Sequence, residues 1–460
     1  MKWFLFALFL GTFCFANPYP KESEVPKDSA ADYYRRYAKP KLTRSREGIE
    51  ILRIDVSWAE ADTYEVTKVL REASGTPAVL ARAKQTDPHG SYHGRLVEPF
   101  TQSVLAQDSL GTGMLFRKLS RGLSFRFPVP ETAVEFQLVA ENPNSGEMET
   151  VLSQRIEPDT LPAAAQQTPS ALEVRSLQAA TVQPEIRVNF YAEGYLASRK
   201  DRFWQDAQKA VNALRENHFP AFSQMSFHAV FHPSNKGIGT AKDLGLPVEE
   251  RDSFLGLYFP YWEKFGRWYH VVYPTRFSKY RDGIGLVPYD YPVILVDDSN
   301  YWGVGNFREL TAVPTGSWSF TYLLLHEIGH FFGLNEEYES GGPTELSFAP
   351  DINEPWSQNI TFLRKPEELK WRQFVASSTP IPTPASEWSN GHYGAYKGGY
   401  AQSAPQNTSH KPGMGCVMAS QGDFCSICRH AIEARVQFDS GKSPFISNLR
   451  ARSLDRAHTK

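Results

Sequence analysis

The segment that most constrains this chain is residues 323–338, which read LLLHEIGHFFGLNEEY. It contains His326, Glu327 and His330 in the spacing H-E-x-x-H. On an α-helix, residues four apart lie on one face about one turn from each other, so both imidazoles can bind a single metal ion. The spacing therefore predicts a helix with a zinc site, in which His326 and His330 are ligands and Glu327 is the general base that takes a proton from the attacking water.

Apolar residues surround this motif on nearly every face of the predicted helix. They are Leu323, Leu324, Leu325, Ile328, Phe331 and Phe332. A helix that is apolar all round is buried, and two buried imidazoles with a buried carboxylate are costly unless something satisfies them. A bound metal does so, which favours a metal site over a structural helix with a salt link.

The third ligand is predicted from the residues that follow the helix. Gly333 is expected to end the helix in a left-handed turn, and Glu336 stands six residues after His330. The resulting pattern H-E-x-x-H-x-x-G-x-x-E is the metzincin layout, with Glu336 at the place of the third His or Asp and Met418 as the candidate for the methionine turn beneath the metal. Glu354 is an alternative ligand, on the plan of the thermolysin-like enzymes, which use a downstream Glu.

Length and charge limit the class of protein. The 460 residues exceed one ordinary domain and predict two or three. The formal net charge of -2 and the lack of a basic block argue against a nucleic-acid partner. The sequence contains no apolar run of the roughly 18 residues that a membrane span requires, so no transmembrane segment is predicted.

The N-terminus predicts export from the cytoplasm. Lys2 forms a short positive region, residues 3–13 are apolar, and residues 14–16 are an acceptable cleavage site. Residues 1–16 are therefore predicted to be a secretory signal peptide, and the mature protein is expected to be secreted, periplasmic or at the cell surface. Residues 17–44 are predicted to be a polar lead-in.

Alternating apolar and polar residues predict strands in the next part of the chain. They occur at residues 52–58 and 134–140 and predict a β-sandwich over residues 45–157. This region is interpreted as a structural accessory domain or as a module that binds the substrate protein or a glycan. Residues 158–184 are rich in Pro, Ala, Gln, Thr and Ser and predict a linker.

Residues 185–440 are predicted to form the catalytic domain, and residues 441–460 a polar tail. The pattern predicts strands at 186–191, 225–231 and 293–296, an amphipathic helix at 198–217, and the motif helix. The expected fold class is a multi-domain protein with an N-terminal all-β sandwich followed by an α/β metzincin-like zinc peptidase domain.

The catalytic half resembles the bacterial zinc metallopeptidases named after IgA peptidase. Members carry an H-E-x-G-H helix followed by a G-L-x-D-E-Y segment, and residues 326–330 and 333–338 are similar to both. Further similar segments are residues 370–371, 379–383, 416–418 and 424–429. The resemblance implies that His326 and His330 bind zinc and that Glu327 is the general base. It also implies that Glu336 is the acidic ligand, in place of the family's Asp.

Two departures from the family pattern leave alternatives open. The spacing after His330 is one residue shorter, so Glu337 is an alternative to Glu336 as the acidic ligand. Residues 409–412 stand where members tend to have Tyr-Arg-Pro. His410 in this segment is interpreted as a surface residue, with stabilisation of the oxyanion as the alternative.

Three cysteines remain after removal of the signal peptide. Cys416, Cys425 and Cys428 also resemble the archaemetzincins, which hold a second zinc ion in a cysteine-rich site, and His430 is the candidate for the missing fourth ligand. In an oxidising compartment a disulfide from Cys416 to Cys425 or Cys428 is expected, which leaves one thiol. A second metal site and three free thiols are the alternatives.

The function predicted from these residues is that of a secreted zinc-dependent endopeptidase. Its cofactor is expected to be Zn²⁺, and its partner a protein or peptide substrate such as a host or environmental protein. The alternative is a secreted protein- or glycan-binding protein with an inactive or structural metal site. Glu327 argues against this alternative, because a structural site needs no carboxylate beside the metal.

Overall fold

The computed structural model describes residues 49–59, 63–111, 121–142, 145–162, 169–238, 253–259, 261–262, 267–268, 272–274, 277–338, 354–399 and 409–443. The predicted signal peptide, the polar lead-in and the tail beyond residue 443 lie outside these residues. The described part is rich in β-strands, which form several sheets, and has fewer helices. Each helix in it is too short or too polar to cross a membrane.

The strands β1–β19 and the α-helices α1–α5 are numbered in chain order. The strands are β1 Ile49–Ala59, β2 Thr63–Gly75, β3 Tyr92–Val97, β4 Val104–Leu110, β5 Arg121–Pro128, β6 Val134–Glu141, β7 Met148–Ile156, β8 Glu173–Gln178, β9 Ile186–Glu193, β10 Met225–Phe231, β11 Leu257–Tyr258, β12 Tyr261–Trp262, β13 Arg267–Trp268, β14 Tyr273–Pro274, β15 Tyr291–Val296, β16 Val304–Gly305, β17 Thr311–Pro314, β18 Tyr396–Lys397 and β19 His410–Lys411. The α-helices are α1 Pro77–Ala83, α2 Lys200–Glu216, α3 Phe277–Ile284, α4 Phe320–Phe331 and α5 Ser426–Asp439. Short 3₁₀ helices cover Pro158–Thr160, Ala197–Arg199, Phe222–Gln224, Pro366–Glu368, Arg372–Phe374 and Ala385–Asn390.

Two antiparallel sheets form the N-terminal region. One has the strand order β2-β1-β5 and the other the order β4-β3-β6-β7. Side chains from both sheets share one core, among them Leu52 and Ile54 of β1 and Phe136 and Leu138 of β6. These are apolar positions of the two alternating segments, so the strands predicted there are confirmed.

The polar face of β1 is buried as well, which the alternation did not indicate. Arg53 lies 2.7 Å from Asp55, 2.8 Å from Glu72 and 2.6 Å from Asp282. Asp282 belongs to α3, in the second half of the chain. This face of the sheet therefore packs against protein, and its charges are satisfied by one another rather than by water.

A mixed six-stranded sheet lies at the centre of the second half, in the order β16-β17-β15-β9-β10-β8. The strands β10, β9, β15 and β17 are parallel, and β8 is antiparallel to β10. Glu173–Gln178, which is β8, falls inside the predicted linker 158–184, so that part of the linker prediction is wrong. An edge strand in which half of the side chains are exposed and none is fully buried carries no apolar alternation that the sequence could show.

Alternate residues of the central strands enter two different cores. Val293 and Leu295 of β15 pack in the core that also holds α2, α4 and α5. Ile294 and Val296 pack on the opposite face of the sheet, with α3. A strand that is buried on both faces is continuously apolar, which is why residues 293–296 predict a central strand.

The motif helix is α4, which begins shortly after β17. Its residues Leu324 and Ile328 are buried in the large core, and it ends at Phe331. Gly333 has a left-handed φ of 88°, and the Leu334 amide donates to the Gly329 carbonyl at 3.1 Å. This turn ends the helix as the sequence predicts and carries the chain back past the helix end.

Buried charges join the N-terminal region to the last helix. Asp87 lies 2.9 Å from Arg308 and 2.6 Å from Arg435, and Arg308 also pairs with Asp439 of α5. All four side chains are buried. Because a buried charge without its partner is strongly destabilising, this network holds α5 against the N-terminal region.

Candidate metal centre

His326 and His330 lie one turn apart on α4 and face each other. Their Nε2 atoms are 3.1 Å apart. Nδ1 of His326 lies 2.9 Å from the Val417 carbonyl, and Nδ1 of His330 lies 2.9 Å from the Leu334 carbonyl. A carbonyl oxygen only accepts hydrogen bonds, so each Nδ1 carries the proton and each Nε2 of the neutral rings presents a lone pair.

The separation of these two lone pairs fits a metal ion. Zinc binds imidazole nitrogen at about 2.0–2.1 Å, which places two tetrahedral ligands about 3.3 Å apart. The observed distance between the Nε2 atoms, 3.1 Å, is close to that value. Burial, and then the neighbouring His330, lower the pKa of His326 to about 3, which keeps its imidazole in the neutral form that binds metal.

Glu327 lies beside the histidines and is buried. Burial raises the pKa of its carboxyl to about 7; His330 lowers this pKa and Glu336 raises it. A general base is most effective when its pKa is near the working pH. Gly303 makes the room for this side chain, because a Cβ there would lie 2.7 Å from both Cγ and Cδ of Glu327.

The two acidic candidates, Glu336 and Glu337, point to different places. Glu336 Oε1 lies 4.0 Å from His330 Nε2, and its side chain is 38% exposed. Glu337 is fully buried, and its Oε1 accepts from Asn359 Nδ2 at 3.0 Å and from Cys428 Sγ at 3.2 Å. The carboxylate on the side of the histidines is therefore that of Glu336.

The ligand atoms of the three predicted ligands are not all close to one another. Within the described part of the chain, His326, His330 and Glu336 do not bring one ligand atom each to within 4.8 Å of one another. Ligation by Glu336 stays a prediction. The alternative ligand Glu354 is engaged elsewhere, since its carboxylate lies 3.0 Å from the ammonium group of Lys370.

Met418 lies directly beneath the motif helix. A Cβ at Gly329 would lie 2.5 Å from Met418 Sδ, so the glycine lets the methionine reach the helix between the two histidines. The Met418 carbonyl accepts from the Glu337 amide at 2.8 Å. The preceding carbonyl, of Val417, holds His326. This turn therefore supports both the first histidine and the acidic segment.

Aromatic residues flank the histidines, and the sequence analysis did not assign them. The Tyr338 ring stacks on His326 with centroids 5.9 Å apart, and the Tyr322 ring lies 5.4 Å from the same imidazole. Tyr301 stacks on Trp318, which is 79% exposed. Burial raises the pKa of Tyr322 to about 12, so its hydroxyl remains a hydrogen-bond donor at neutral pH.

The comparison with known protein families bears on the class of this metal centre. The family model of IgA peptidase M64 matches residues 175–391 and 389–436, more than half of the 460 residues. This chain belongs to the IgA peptidase M64 family. The resemblance seen in the sequence is thereby confirmed, and a peptidase has protein substrates. No curated protein sequence matches the chain.

The two matched segments of this M64 peptidase contain both groups of candidate ligands. The first includes the motif helix and the acidic pair, and the second includes the three cysteines. M64 peptidases are metallopeptidases, which agrees with the facing lone pairs on α4.

His410 is not a surface residue, so that interpretation of the sequence is wrong. Its side chain is 2% exposed. Its backbone pairs with Lys397 of β18 and with Thr361, which places it inside the layer formed by the C-terminal loops. Strands of two residues leave no periodic pattern in the sequence, so the sequence did not indicate that His410 is buried.

The three cysteines are buried free thiols that meet in one place. The expected disulfide is not formed in the structure. Instead, the three Sγ atoms and a carboxylate oxygen of Glu337 all lie within 4.8 Å of one another. His430, the fourth ligand considered from the sequence, packs against the Phe374 ring at 5.5 Å and is not part of this group.

Proposed function

We propose that this M64 peptidase is a secreted zinc-dependent endopeptidase. His326, His330 and Glu336 hold the zinc ion, and Glu327 is the general base. The observation that carries the proposal is the pair of Nε2 lone pairs that face each other at 3.1 Å, because a metal ion satisfies both. The buried carboxylate of Glu327 beside them supports hydrolysis over a structural metal site or a binding protein with an inactive site.

The chain's own residues divide the work of peptide hydrolysis. A zinc ion at the two histidines would polarise the scissile carbonyl and the attacking water. Glu327, buried beside the histidines, takes a proton from this water and passes it to the leaving amine. Tyr338, whose ring stacks on His326, offers a hydroxyl donor to the oxygen that becomes negatively charged.

The exposed pair Tyr301 and Trp318 extends the site toward solvent. The two rings stack with centroids 5.7 Å apart, and the Tyr301 side chain is hydrogen-bonded to Tyr322. Tyr322 is in turn 5.4 Å from His326. An exposed aromatic pair that continues from the site in this way fits an apolar side chain of an extended substrate peptide.

The two-part organisation and the location belong to the same proposal. The two sheets of the N-terminal region share a core of their own, which supports a β-sandwich accessory domain over residues 45–157. The six-stranded sheet with helices supports an α/β metzincin-like domain over residues 185–440. Secretion rests on the signal-peptide pattern of residues 1–16.

The experiment that tests the proposal is cleavage of an unfolded protein by the purified mature chain, with and without a zinc chelator. We expect the chelator to stop cleavage and added Zn²⁺ to restore it. Glu327→Gln is expected to retain zinc and to lose about 100-fold or more in rate, because a general base contributes about 10²–10⁴-fold. Full turnover by Glu327→Gln would remove this residue from its role, and bound zinc without cleavage would favour the binding protein.

A further inference from the structure

A second group of metal-binding side chains lies behind the catalytic helix. It consists of Glu337, Cys416, Cys425 and Cys428, one ligand atom of each lying within 4.8 Å of all the others. All four side chains are buried. They come from three parts of the chain: the segment after α4, the methionine turn, and the start of α5.

The donors and their spacing fit a tetrahedral zinc ion. Zinc takes thiolate sulfur at about 2.3 Å and carboxylate oxygen at about 2.0–2.2 Å, so tetrahedral sulfur ligands stand about 3.8 Å apart. Separations of up to 4.8 Å among these atoms need only a small contraction around the ion. Three thiolates select zinc over the hard cations Mg²⁺ and Ca²⁺, which prefer oxygen ligands.

Backbone amides already point at the sulfur atoms. The Cys425 amide lies 3.4 Å from Cys416 Sγ, and the Cys428 amide lies 3.5 Å from Cys425 Sγ. Cys425 also caps the N-terminus of α5 through this second contact. Such amide donors stabilise thiolate charge and orient the ligands, as outer-shell partners do around metal sites.

The Glu337 carboxylate gives a second, independent indication of a ligand. Its Oε1 is bonded to Asn359 and Cys428, but its Oε2 is buried with no hydrogen-bond partner among the described residues. The nearby ammonium of Lys411 donates to the Glu337 backbone carbonyl and not to this oxygen. A buried carboxylate oxygen without a partner is costly, and a metal ion would remove that cost.

We infer that Glu337, Cys416, Cys425 and Cys428 form a second metal site, which holds a structural zinc ion. Four protein ligands close the coordination sphere, and a site without an open position does not bind substrate. Binding converts the thiols to thiolates and releases their protons to solvent. A disulfide would use two of the three thiols and leave both the third and the Glu337 oxygen unsatisfied.

Cobalt absorption separates this site from the catalytic one. In the full mature chain, His326→Ala combined with His330→Ala removes the nitrogen ligands of the catalytic site and leaves the thiols intact. We expect this variant to retain about one zinc ion per chain and, after exchange for Co²⁺, to show the thiolate-to-cobalt charge-transfer absorption that only sulfur ligands give. Loss of all metal from this variant, or absence of that absorption, would overturn the inference. So would the finding that only one of the three thiols can be alkylated without reductant, because the other two would then form a disulfide.

Variants of Glu337 test the fourth ligand. Glu337→Leu keeps most of the side-chain volume and removes the donor, and we expect it to lower zinc affinity by more than about 10-fold, since loss of an outer-shell partner alone costs about 10–100-fold. Glu337→Cys supplies a fourth thiolate and is expected to retain zinc with stronger charge-transfer absorption. Equal zinc affinity in the wild type and Glu337→Leu would remove Glu337 from the site. If Glu337→Leu does not fold, loss of zinc in the folded Glu337→Cys variant would overturn the assignment.

The outcome is independent of the proposed endopeptidase function. Charge-transfer absorption without hydrolysis by the wild type would overturn the proposed function and support the structural zinc. Hydrolysis that requires zinc, without charge-transfer absorption, would support the proposed function and overturn the structural zinc.

Discussion

Replacing Gly303 by alanine (Gly303→Ala) puts a methyl group into the space that the Glu327 carboxylate fills. The new Cβ would lie 2.7 Å from both Cγ and Cδ of Glu327 and closer still to Oε1. Carbon atoms in ordinary contact are about 3.5–4.0 Å apart, so the carboxylate has to move by about 1 Å. A misplacement of this size in a catalytic group costs about 100-fold in rate, which corresponds to about 2.7 kcal/mol.

The assay compares initial rates of cleavage of an unfolded protein by zinc-loaded wild type and Gly303→Ala. We expect the variant to retain its zinc, because the three atoms nearest to the added methyl group all belong to Glu327 and none to a histidine. Gly237→Ala is the matched control, since a Cβ there meets only the Gly194 carbonyl at 4.0 Å. Overpacking costs about 1–3 kcal/mol, so thermal unfolding checks that the variant is folded at the assay temperature.

A double-mutant cycle shows whether the loss acts through Glu327. If it does, Gly303→Ala adds less than about 0.5 kcal/mol to the loss already caused by Glu327→Gln, because the two changes remove the same function. Wild-type activity in Gly303→Ala, or a full further 100-fold loss in the Glu327→Gln background, would refute the position or the role assigned to this carboxylate.

Four further predictions concern the ligands, the substrate surface, the charge network and the pH dependence of that network. Glu336→Ala is expected to weaken zinc binding more at the histidines than at the thiols, and Glu337→Ala more at the thiols than at the histidines; competition with a chelator measures both affinities. Trp318→Ala is expected to raise KM for an unfolded protein about 10-fold with kcat unchanged, equivalent to about 1.4 kcal/mol of substrate binding, and an unchanged KM would exclude this contact. Arg308→Met is expected to lower the free energy of unfolding by about 3–5 kcal/mol in urea titrations, because it leaves buried carboxylates, including that of Asp87, short of a partner. Burial by itself would raise the pKa of Asp87, but its arginine partners hold this pKa well below 3.8. The resulting stabilisation of the folded state is complete above about pH 4 and is lost as the pH falls through the folded pKa. Acid unfolding of the wild type checks this expectation.

The motif helix was predictable because its information is local. The spacing of His326, Glu327 and His330, the apolar residues around them and Gly333 all lie within a few turns of chain. Met418 was predictable only as a candidate, because its position beneath Gly329 depends on how the chain returns to the helix. The family pattern indicated that the chain returns to the helix at Met418, because no periodicity in the sequence does so.

The division between Glu336 and Glu337 was not predictable from the sequence. The two residues are chemically identical neighbours, and their directions are decided by distant partners such as Asn359 and Cys428. The same holds for Tyr322, which stands one helical turn before a motif histidine but has no composition that separates a site residue from a core residue. Long-range contacts therefore determine the part of the site that the local sequence pattern could not predict.

Adjacent residues serve the two candidate metal sites, and this has an energetic consequence. Glu336 faces the histidines while Glu337 joins the cysteines, and Cys416 immediately precedes Val417, whose carbonyl fixes the ring of His326. An ion held by Cys416 and Glu337 would restrain both ends of this arrangement, so the catalytic ligands would lose less conformational entropy when they bind metal. Because coupling between two sites is reciprocal, zinc at either site raises the affinity of the other by the same factor. Calorimetric titration of Zn²⁺ into the metal-free chain would detect this factor as tighter binding at the histidines in the wild type than in Glu337→Leu, and equal affinities would show that the two sites are uncoupled.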